Sequence, residues 1–340
     1  MKLIIQIPCF NEAEQLPKTL ADLPKHLPGV DTIEWLVVDD GSTDDTAVVA
    51  SKLGVHHVVR FPRNHGLAQS FSAGIDAALR NGADLIVNTD ADNQYCAADI
   101  ERLLQPLLEG CADIVIGARP IEQIEQFSRG KKILQRIGTW LVRLLSNTAV
   151  VDATSGFRAY TRKAAMALNV FSKYTYTLET IIQAGQKGMA VMSVPVRVNP
   201  PTRPSRLIRS TAQYIWRSGI TMVRIFIIYR PFRFFMLPAV LSGAMGVLIG
   251  LRFLGYYLTA GGAGHVQSLI LSAILIIVSS LLASLAILAD LQAVNRHLLE
   301  DIQSRLRQQE IAGQSDAVGL EIPPVRRLGG RRSSPLPRNM

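Results

Sequence analysis

The chain has 340 residues, 48% of them hydrophobic and 19% charged, with a mean hydropathy of +0.21, a formal charge of +9 and a pI near 9.7. That length accommodates two domains of ordinary size, and because the basic excess accompanies long apolar runs, an anionic membrane face rather than nucleic acid is the expected partner. Three cysteines, Cys9, Cys96 and Cys111, show no metal-type spacing, which excludes a disulfide scaffold and agrees with a reducing compartment.

The start of the chain, Met1-Lys2-Leu3-Ile4-Ile5-Gln6-Ile7-Pro8, is too short an apolar run for a signal peptide and reads as a first strand. Further strands are expected at residues 33–38, 55–61, 84–88 and 113–116, with helices near 11–23, 44–53, 67–80 and 97–109. Strict alternation of this kind predicts right-handed crossovers, a mostly parallel sheet and ligands bound beyond the strands' carboxyl ends. The polar clusters at residues 8–12, 39–43, 64–66 and 90–94 all stand at such ends and are expected to line one crevice.

The run Val87-Asn88-Thr89-Asp90-Ala91-Asp92-Asn93-Gln94-Tyr95 is the most informative. Residues two apart on a strand point to the same side, so Asp90, Asp92 and Gln94 are expected to converge if extended geometry persists past the strand. Hard oxygen ligands suit Mg2+ or Mn2+, with substrate phosphates completing the shell. The competing reading is an ordinary solvated turn of paired acids.

Residues 128–147 form a basic amphipathic stretch with Arg129, Lys131, Lys132, Arg136 and Arg143, followed by Asp152-Ala153-Thr154-Ser155-Gly156-Phe157-Arg158-Ala159-Tyr160. A helix is expected over 177–187 and a last, valine-rich strand over 190–198. The segment Pro200-Pro201-Thr202-Arg203-Pro204-Ser205 is a connector that cannot continue a helix. From Ser205 onward, helical spacing gathers Arg206, Arg209, Gln213, Arg217 and Arg224 on one face and Ile208, Ile215, Met222 and Phe226 on the other. Such a helix is suited to a bilayer surface; packing on the soluble domain is the alternative.

Two long apolar runs follow. Residues 268–289 are 22 uncharged residues, about 33 Å of helix and enough to cross a hydrocarbon core of about 30 Å. Residues 234–251 add 18 more before Arg252, with tyrosines beyond it suited to an interface. Arg224, Arg230 and Arg233 precede the first span and Arg296, Arg305 and Arg307 follow the second, so both termini are expected in the cytosol. The expected organisation is a soluble domain (1–200), a connector and interfacial helix (201–233), two transmembrane helices (234–290) and a cytosolic basic tail (291–340), disordered from about residue 312.

Taken in order, Ile7-Pro8-Cys9-Phe10-Asn11-Glu12, Val37-Val38-Asp39-Asp40-Gly41-Ser42-Thr43-Asp44, Asn64 with Gly66, Asp90-Ala91-Asp92-Asn93-Gln94 and Ser155-Gly156-Phe157-Arg158-Ala159-Tyr160 resemble the family 2 glycosyltransferases. More narrowly, residues 1 to about 290 resemble the polyprenyl-phosphate group, which includes dolichyl-phosphate mannose synthases and undecaprenyl-phosphate sugar transferases. The resemblance implies a GT-A fold, Mg2+ or Mn2+, and inverting transfer of one sugar from a nucleotide-diphosphate sugar, UDP- or GDP-linked, to a polyprenyl phosphate at the cytosolic membrane face; it leaves a homo-oligomer open. It implies that Pro8, Glu12, Asp39, Asp40, Asp90 and Ala91 line the donor nucleotide and that Asp90, Asp92 and Gln94 hold the metal. Asp92 and Arg119 are then the catalytic pair. Arg119, Lys132, Arg136, Arg203 and Ser205 are implied at the acceptor phosphate, and Asp152, Ser155 and Glu179 near the sugar, with Gly156 and Arg158 also shaping the crevice wall. Asp39 or Asp44 has the alternative use of capping the next helix.

Two departures bear on the acceptor side: Lys131-Lys132 and Gln135-Arg136 stand where relatives carry Arg with Ser four residues on, and Arg203-Pro204-Ser205-Arg206 replaces Gly-x-Ser-Lys. A processive polysaccharide synthase would need more spans and a Gln-x-x-Arg-Trp motif that residues 135–140 do not supply. A non-catalytic nucleotide-sugar-binding adaptor would not need the intact acidic triplet.

Overall fold

In a computed structural model, residues 1–120, 129–170, 176–200, 220, 223–224, 226–260 and 266–317 are described, those at 129–135, 260 and 311–317 by their backbone alone. Seven strands, β1 (Lys2–Cys9), β2 (Thr32–Asp39), β3 (His57–Arg60), β4 (Leu85–Asn88), β5 (Ile114–Ala118), β6 (Arg158–Thr161) and β7 (Val191–Pro195), form one sheet in the order β3-β2-β1-β4-β6-β5-β7. β6 runs antiparallel to both β4 and β5, and every other pair is parallel.

Strand β1 shows why the sheet is two-sided. Its apolar run is nearly continuous because helices cover both faces, as expected of parallel strands. Leu3, Ile5 and Ile7 pack toward α1 (Leu16–Asp22) and α4 (Ile100–Leu108), while Ile4 joins Phe71, Ile75 and Leu79 of α3 (Leu67–Arg80). The remaining helices of this layer are α2 (Thr46–Lys52), α5 (Arg129–Ser146), α6 (Arg162–Ala167) and α7 (Thr177–Gln186).

The strands read from the sequence are present with shifted ends, but β6 was expected only as crevice wall. It has four residues and opens on an arginine, so it offers no apolar alternation. Arg158 is 0% exposed there, which is tolerable only because its guanidinium donates to the carbonyls of Ser155 (2.7 Å), Thr177 (2.8 Å) and Ala153 (2.9 Å) and to Thr180 Oγ1 (2.8 Å). Arg158 is therefore a structural pin inside the sheet. The first helix begins at Leu16 rather than at residue 11, since Asn11 takes a left-handed φ of 56°.

Helices α8 (Pro231–Ala260) and α9 (Val266–Ala317) pair along their length. Ser279 Oγ donates to Ala239 O at 2.8 Å and Ser272 Oγ to Gly246 O at 2.7 Å, the use of small hydroxyl residues expected between helices in lipid. Only 11% of the most apolar window of each is buried, so these are outward-facing helices long enough to cross a membrane, not core helices of a soluble fold.

No break separates the second span from the tail. Helix α9 continues past residue 289 to Ala317, and its far end packs against the sheet domain: Arg307 pairs with Asp76 of α3 at 3.2 Å and donates to Leu168 O at 3.0 Å, while Glu310 pairs with Arg80 at 3.5 Å. Nearer the spans, the Arg296 guanidinium lies 4.5 Å from the Tyr229 ring centroid and donates to Ile228 O at 3.2 Å. The segment after the second span thus lies on the same side as the sheet domain. Most of the expected interfacial helix, and with it Arg203 and Ser205, falls outside the described residues.

Candidate active site

β1, β2, β4 and β5 all end at one edge of the sheet, and the loop preceding the antiparallel β6 enters that edge from the other direction. Inserting one antiparallel strand between β4 and β5 therefore brings residues 152–157 between the chain segments that follow those two strands.

The exits of β1 and β2 are laced together. Asn11 N donates to Ser42 Oγ at 2.9 Å and Asn11 Oδ1 accepts from Thr43 N at 2.8 Å, while Glu12 N donates to Thr46 Oγ1 at 2.9 Å. Asp44 accepts from Thr46 N at 3.0 Å and Ala13 N at 3.1 Å, the capping use considered for it. Asp39, 0% exposed, accepts from Ser42 N at 2.9 Å and faces Arg60 Nε at 3.2 Å; Asp40, 3% exposed, accepts from the amides of His65 (2.7 Å) and Gly66 (2.9 Å). Both carboxylates hold the loops at this end of the sheet, where they are expected to line the donor nucleotide, and the buried Asp39 Oδ2 accepts no hydrogen bond from the described residues. Gly41 between them has φ +68°, and a Cβ there would sit 2.3 Å from the Arg63 carbonyl carbon. Pro8 is buried in β1, and Glu12 lies near enough to Asp90 to act on its charge.

The acidic run is not extended. Strand β4 ends at Asn88, the chain turns at Ala91 and Asp92, and Asn93 has φ 56°, so the alternation argument for Asp90, Asp92 and Gln94 fails. The turn brings the acids near each other by another route. Asp92 Oδ1 accepts from Gln94 N at 3.2 Å, Ala91 O accepts from Thr19 Oγ1 at 2.7 Å, and Asn199 N donates to Gln94 O at 2.7 Å. Burial first, then the Asp92 charge, pushes the Asp90 carboxyl up to about 7 against the pull of Arg119. Among the described residues no three His, Cys, Asp or Glu side chains form a cluster able to hold a metal ion. What is present is a pair of hard oxygen donors close enough to repel each other, which fits Mg2+ or Mn2+ taking its other ligands from a diphosphate.

Arg119 follows β5 and is fixed from behind. Its Nε donates to Asp152 Oδ2 at 2.7 Å, and Nη2 donates to Asp152 Oδ1 at 3.1 Å and to Thr154 Oγ1 at 2.8 Å. The Nη1 hydrogens carry no hydrogen bond to the described residues. Asp152 is 0% exposed; burial works to raise its pKa, yet the Arg119 charge and hydrogen bond hold it below the usual carboxylate range. Asp152, expected near the sugar, thus holds Arg119 in place. Ser155, also 0% exposed, is likewise behind the wall, its Oγ accepting from Phe157 N at 3.3 Å. Glu179 is buried in the first turn of α7, where its charge reaches Tyr229 beside the membrane helices.

A polar network under the acids went unread in the sequence. Gln6 Nε2 donates to Asn88 Oδ1 at 2.8 Å, Asn88 Nδ2 donates to Gly156 O at 2.8 Å and to the Tyr176 hydroxyl at 3.0 Å, and Gly156 N donates to the Tyr95 hydroxyl at 3.1 Å. A Cβ on Gly156 would lie 3.0 Å from the Tyr176 hydroxyl and 3.1 Å from Asp90 Oδ1. The available signal was Asn88 itself, a polar side chain closing the wholly buried strand Leu85-Ile86-Val87-Asn88.

On the acceptor side, Lys132 belongs to α5, with only its backbone described, and Arg136 is exposed on the same helix. Helix α5 also exposes Ile137 (50%), Trp140 (62%) and Leu144 (51%) at helical spacing, an apolar stripe turned away from the core.

The pattern of glycosyl transferase family 2 matches residues 4–168. Over 206 residues the chain is 31% identical to a polyprenol monophosphomannose synthase of Mycolicibacterium smegmatis, covering 57% of this chain and 76% of that one. It is 30% identical to an undecaprenyl-phosphate mannosyltransferase of Micrococcus luteus, covering 58% and 83%. Among solved structures, glucosyl-3-phosphoglycerate synthase of Mycobacterium tuberculosis, in complex with Mn2+, UDP-glucose and phosphoglyceric acid, matches with a TM-score of 0.50 at 20% identity over 65% of this chain and 79% of that one, a likeness of fold. The protein belongs to glycosyl transferase family 2 and is a glycosyltransferase with a GT-A-like sheet domain joined to helices able to span a membrane. The matched share of the chain is smaller than the 290 residues over which the motifs run.

Proposed function

We propose that the protein transfers one sugar from a nucleotide-diphosphate sugar to a polyprenyl phosphate at the cytosolic membrane face, with inversion and with the help of Mg2+ or Mn2+. The observation that carries this reading is the opposition of charge at the sheet edge: coupled Asp90 and Asp92 on one side, and Arg119 with uncommitted Nη1 hydrogens on the other. The polyprenyl-phosphate relatives support the acceptor class.

Little proton chemistry is needed. A phosphate monoester has a second pKa near ~6, so the acceptor oxygen is already anionic at neutral pH and requires no general base. The difficulty is to bring this anion beside a donor diphosphate. A divalent ion, when bound, would neutralise charge on the departing nucleoside diphosphate. Asp90 and Asp92 would hold that ion, while Arg119, with Asp152 preventing its rotation, would offer its Nη1 hydrogens to phosphate oxygens. Direct displacement by the acceptor inverts the anomeric carbon. The exposed stripe of Ile137, Trp140 and Leu144, with the basic side of α5, supports approach of the lipid from that helix.

The test uses the full chain in lipid nanodiscs, a panel of UDP- and GDP-linked sugars, undecaprenyl or dolichyl phosphate, and Mn2+ with and without a chelator. Lipid-phase product from at least one donor, lost on chelation and in Asp92→Ala, is expected. Undiminished transfer without metal, or donor binding with no product from any acceptor, would overturn the reading.

A further inference from the structure

At the junction of the sheet domain with the two long helices lies an open cavity of about 710 Å3, lined among others by Tyr229, Arg230, Phe232, Arg233, Asp290 and His297. It is remote in sequence from the acidic turn and from Arg119. The side chains of Arg230, Arg233 and Asp290 make no ion pair or hydrogen bond with the described residues, although two positive charges and a negative one line the same cavity.

The helix register sets their depth. The contacts Ser279 to Ala239 and Ser272 to Gly246 fix an antiparallel alignment of α8 and α9. Carried toward the sheet domain, it brings Asp290 level with Ile228, outward of Arg230 and Arg233. Arg233 is the last charge before the first uncharged run, and Asp290 is the first after the second. The cavity therefore opens at the level of lipid headgroups, with its cations deeper and its anion further out.

We infer that this cavity binds the headgroup of an aminophospholipid of the ethanolamine type, its phosphodiester against Arg230 and Arg233 and its primary ammonium on Asp290. The order of charges matches such a headgroup, whose amine extends beyond its phosphate. Phe232, 40% exposed, supplies an aromatic surface at the interface. A dianionic phosphomonoester such as the proposed acceptor would be repelled by Asp290. A choline headgroup has no N–H to donate to the carboxylate, and a glycerol headgroup leaves the carboxylate without a counter-charge. The inference rests on α8 and α9 crossing a bilayer and is independent of the sugar-transfer chemistry.

The experiment reconstitutes the full chain into vesicles of phosphatidylethanolamine, phosphatidylglycerol and phosphatidylcholine, checks flotation, and reads co-purifying lipid by native mass spectrometry. The wild type is expected to retain phosphatidylethanolamine about fivefold over either competitor, as for one added charge contact near the membrane surface. Asp290→Asn, an exposed position, should lose that preference while floating normally, and the double variant Arg230→Gln/Arg233→Gln should retain less of every phospholipid. Selectivity unchanged in Asp290→Asn, a wild-type preference for phosphatidylglycerol or phosphatidylcholine, or displacement of the bound lipid by equimolar polyprenyl phosphate would each overturn the headgroup site. Failure of the wild type to float would overturn the spans themselves.

Discussion

Asp152 grips Arg119 at two points, Nε to Oδ2 at 2.7 Å and Nη2 to Oδ1 at 3.1 Å, and the aspartate side chain is entirely enclosed. With Nη2 also donating to Thr154 Oγ1, the guanidinium is held on Nε and Nη2 and leaves Nη1 for an oxyanion. Arg119→Lys should retain the charge, lose the fork and lower transfer by about 10- to 100-fold, as expected for one charge-assisted contact. Asp152→Ala should do more harm to the fold, about 3 kcal/mol, because it leaves a poorly hydrated cation unpaired. Transfer kinetics and denaturant midpoints measured on the same samples separate the two effects.

Gly156 is required by proximity. A methyl there meets Asp90 Oδ1 at 3.1 Å and the Tyr176 hydroxyl at 3.0 Å. Gly156→Ala is expected to weaken Mn2+ binding about tenfold by displacing Asp90, since supporting contacts to a metal ligand are typically worth about 10- to 100-fold. Adding Tyr176→Phe should restore part of it by vacating the second contact. Calorimetric Mn2+ titration of the single and double variants measures both.

Asp90 gives the site a pH signature. Its carboxyl is pushed up to about 7 by burial and by Asp92, so a proton competes with a cation there. Mn2+ affinity should climb as pH rises toward 7 and flatten above it. For the metal-free protein the sign is opposite. A folded-state pKa raised above the unfolded one contributes stability that is fully present below the unfolded pKa and lost as pH rises through about 7. Thermal melts from pH 5 to 8 should show this decline in the wild type and a shallower one in Asp90→Asn.

Arg158 spends its guanidinium on acceptors inside the protein and has no exposed surface. Arg158→Lys cannot reach four separate acceptors and should cost about 3 kcal/mol or more in stability. Donor affinity of whatever fraction folds should be unaffected. Urea denaturation and nucleotide-sugar binding by the soluble fraction test the division.

The parallel half of the sheet was legible because β1, β2 and β4 are apolar runs, each followed by a polar cluster at its carboxyl end. Strand β6 was not, because a four-residue strand opening on a buried arginine carries no periodicity and is defined only by its neighbours. The Asp90, Asp92 and Gln94 run was legible as a polar cluster at a strand's carboxyl end, but its geometry was not, since Asn93 folds the chain back where continued extension was assumed. Asp39, Asp40 and Asp152 were legible as special, but not as inward-turned. Whether a carboxylate meets a ligand or an amide of its own chain depends on segments distant in sequence, here residues 65–66 for Asp40 and Arg119 for Asp152.

Helix α9, 52 residues without interruption, is a rod of about 78 Å, one end apolar enough to cross a membrane and the other bolted by Arg307 to Asp76. A rod transmits angle as well as height. Each residue inserted between Asp290 and Arg307 would swing that bolt by about 100° and raise it by about 1.5 Å. Lengthening by seven residues nearly restores the azimuth while lifting the catalytic edge by about 10 Å. The height and azimuth of the sheet domain against the paired helices are thus quantised by helical phase, and a shift of two or three residues would turn its crevice through most of a revolution.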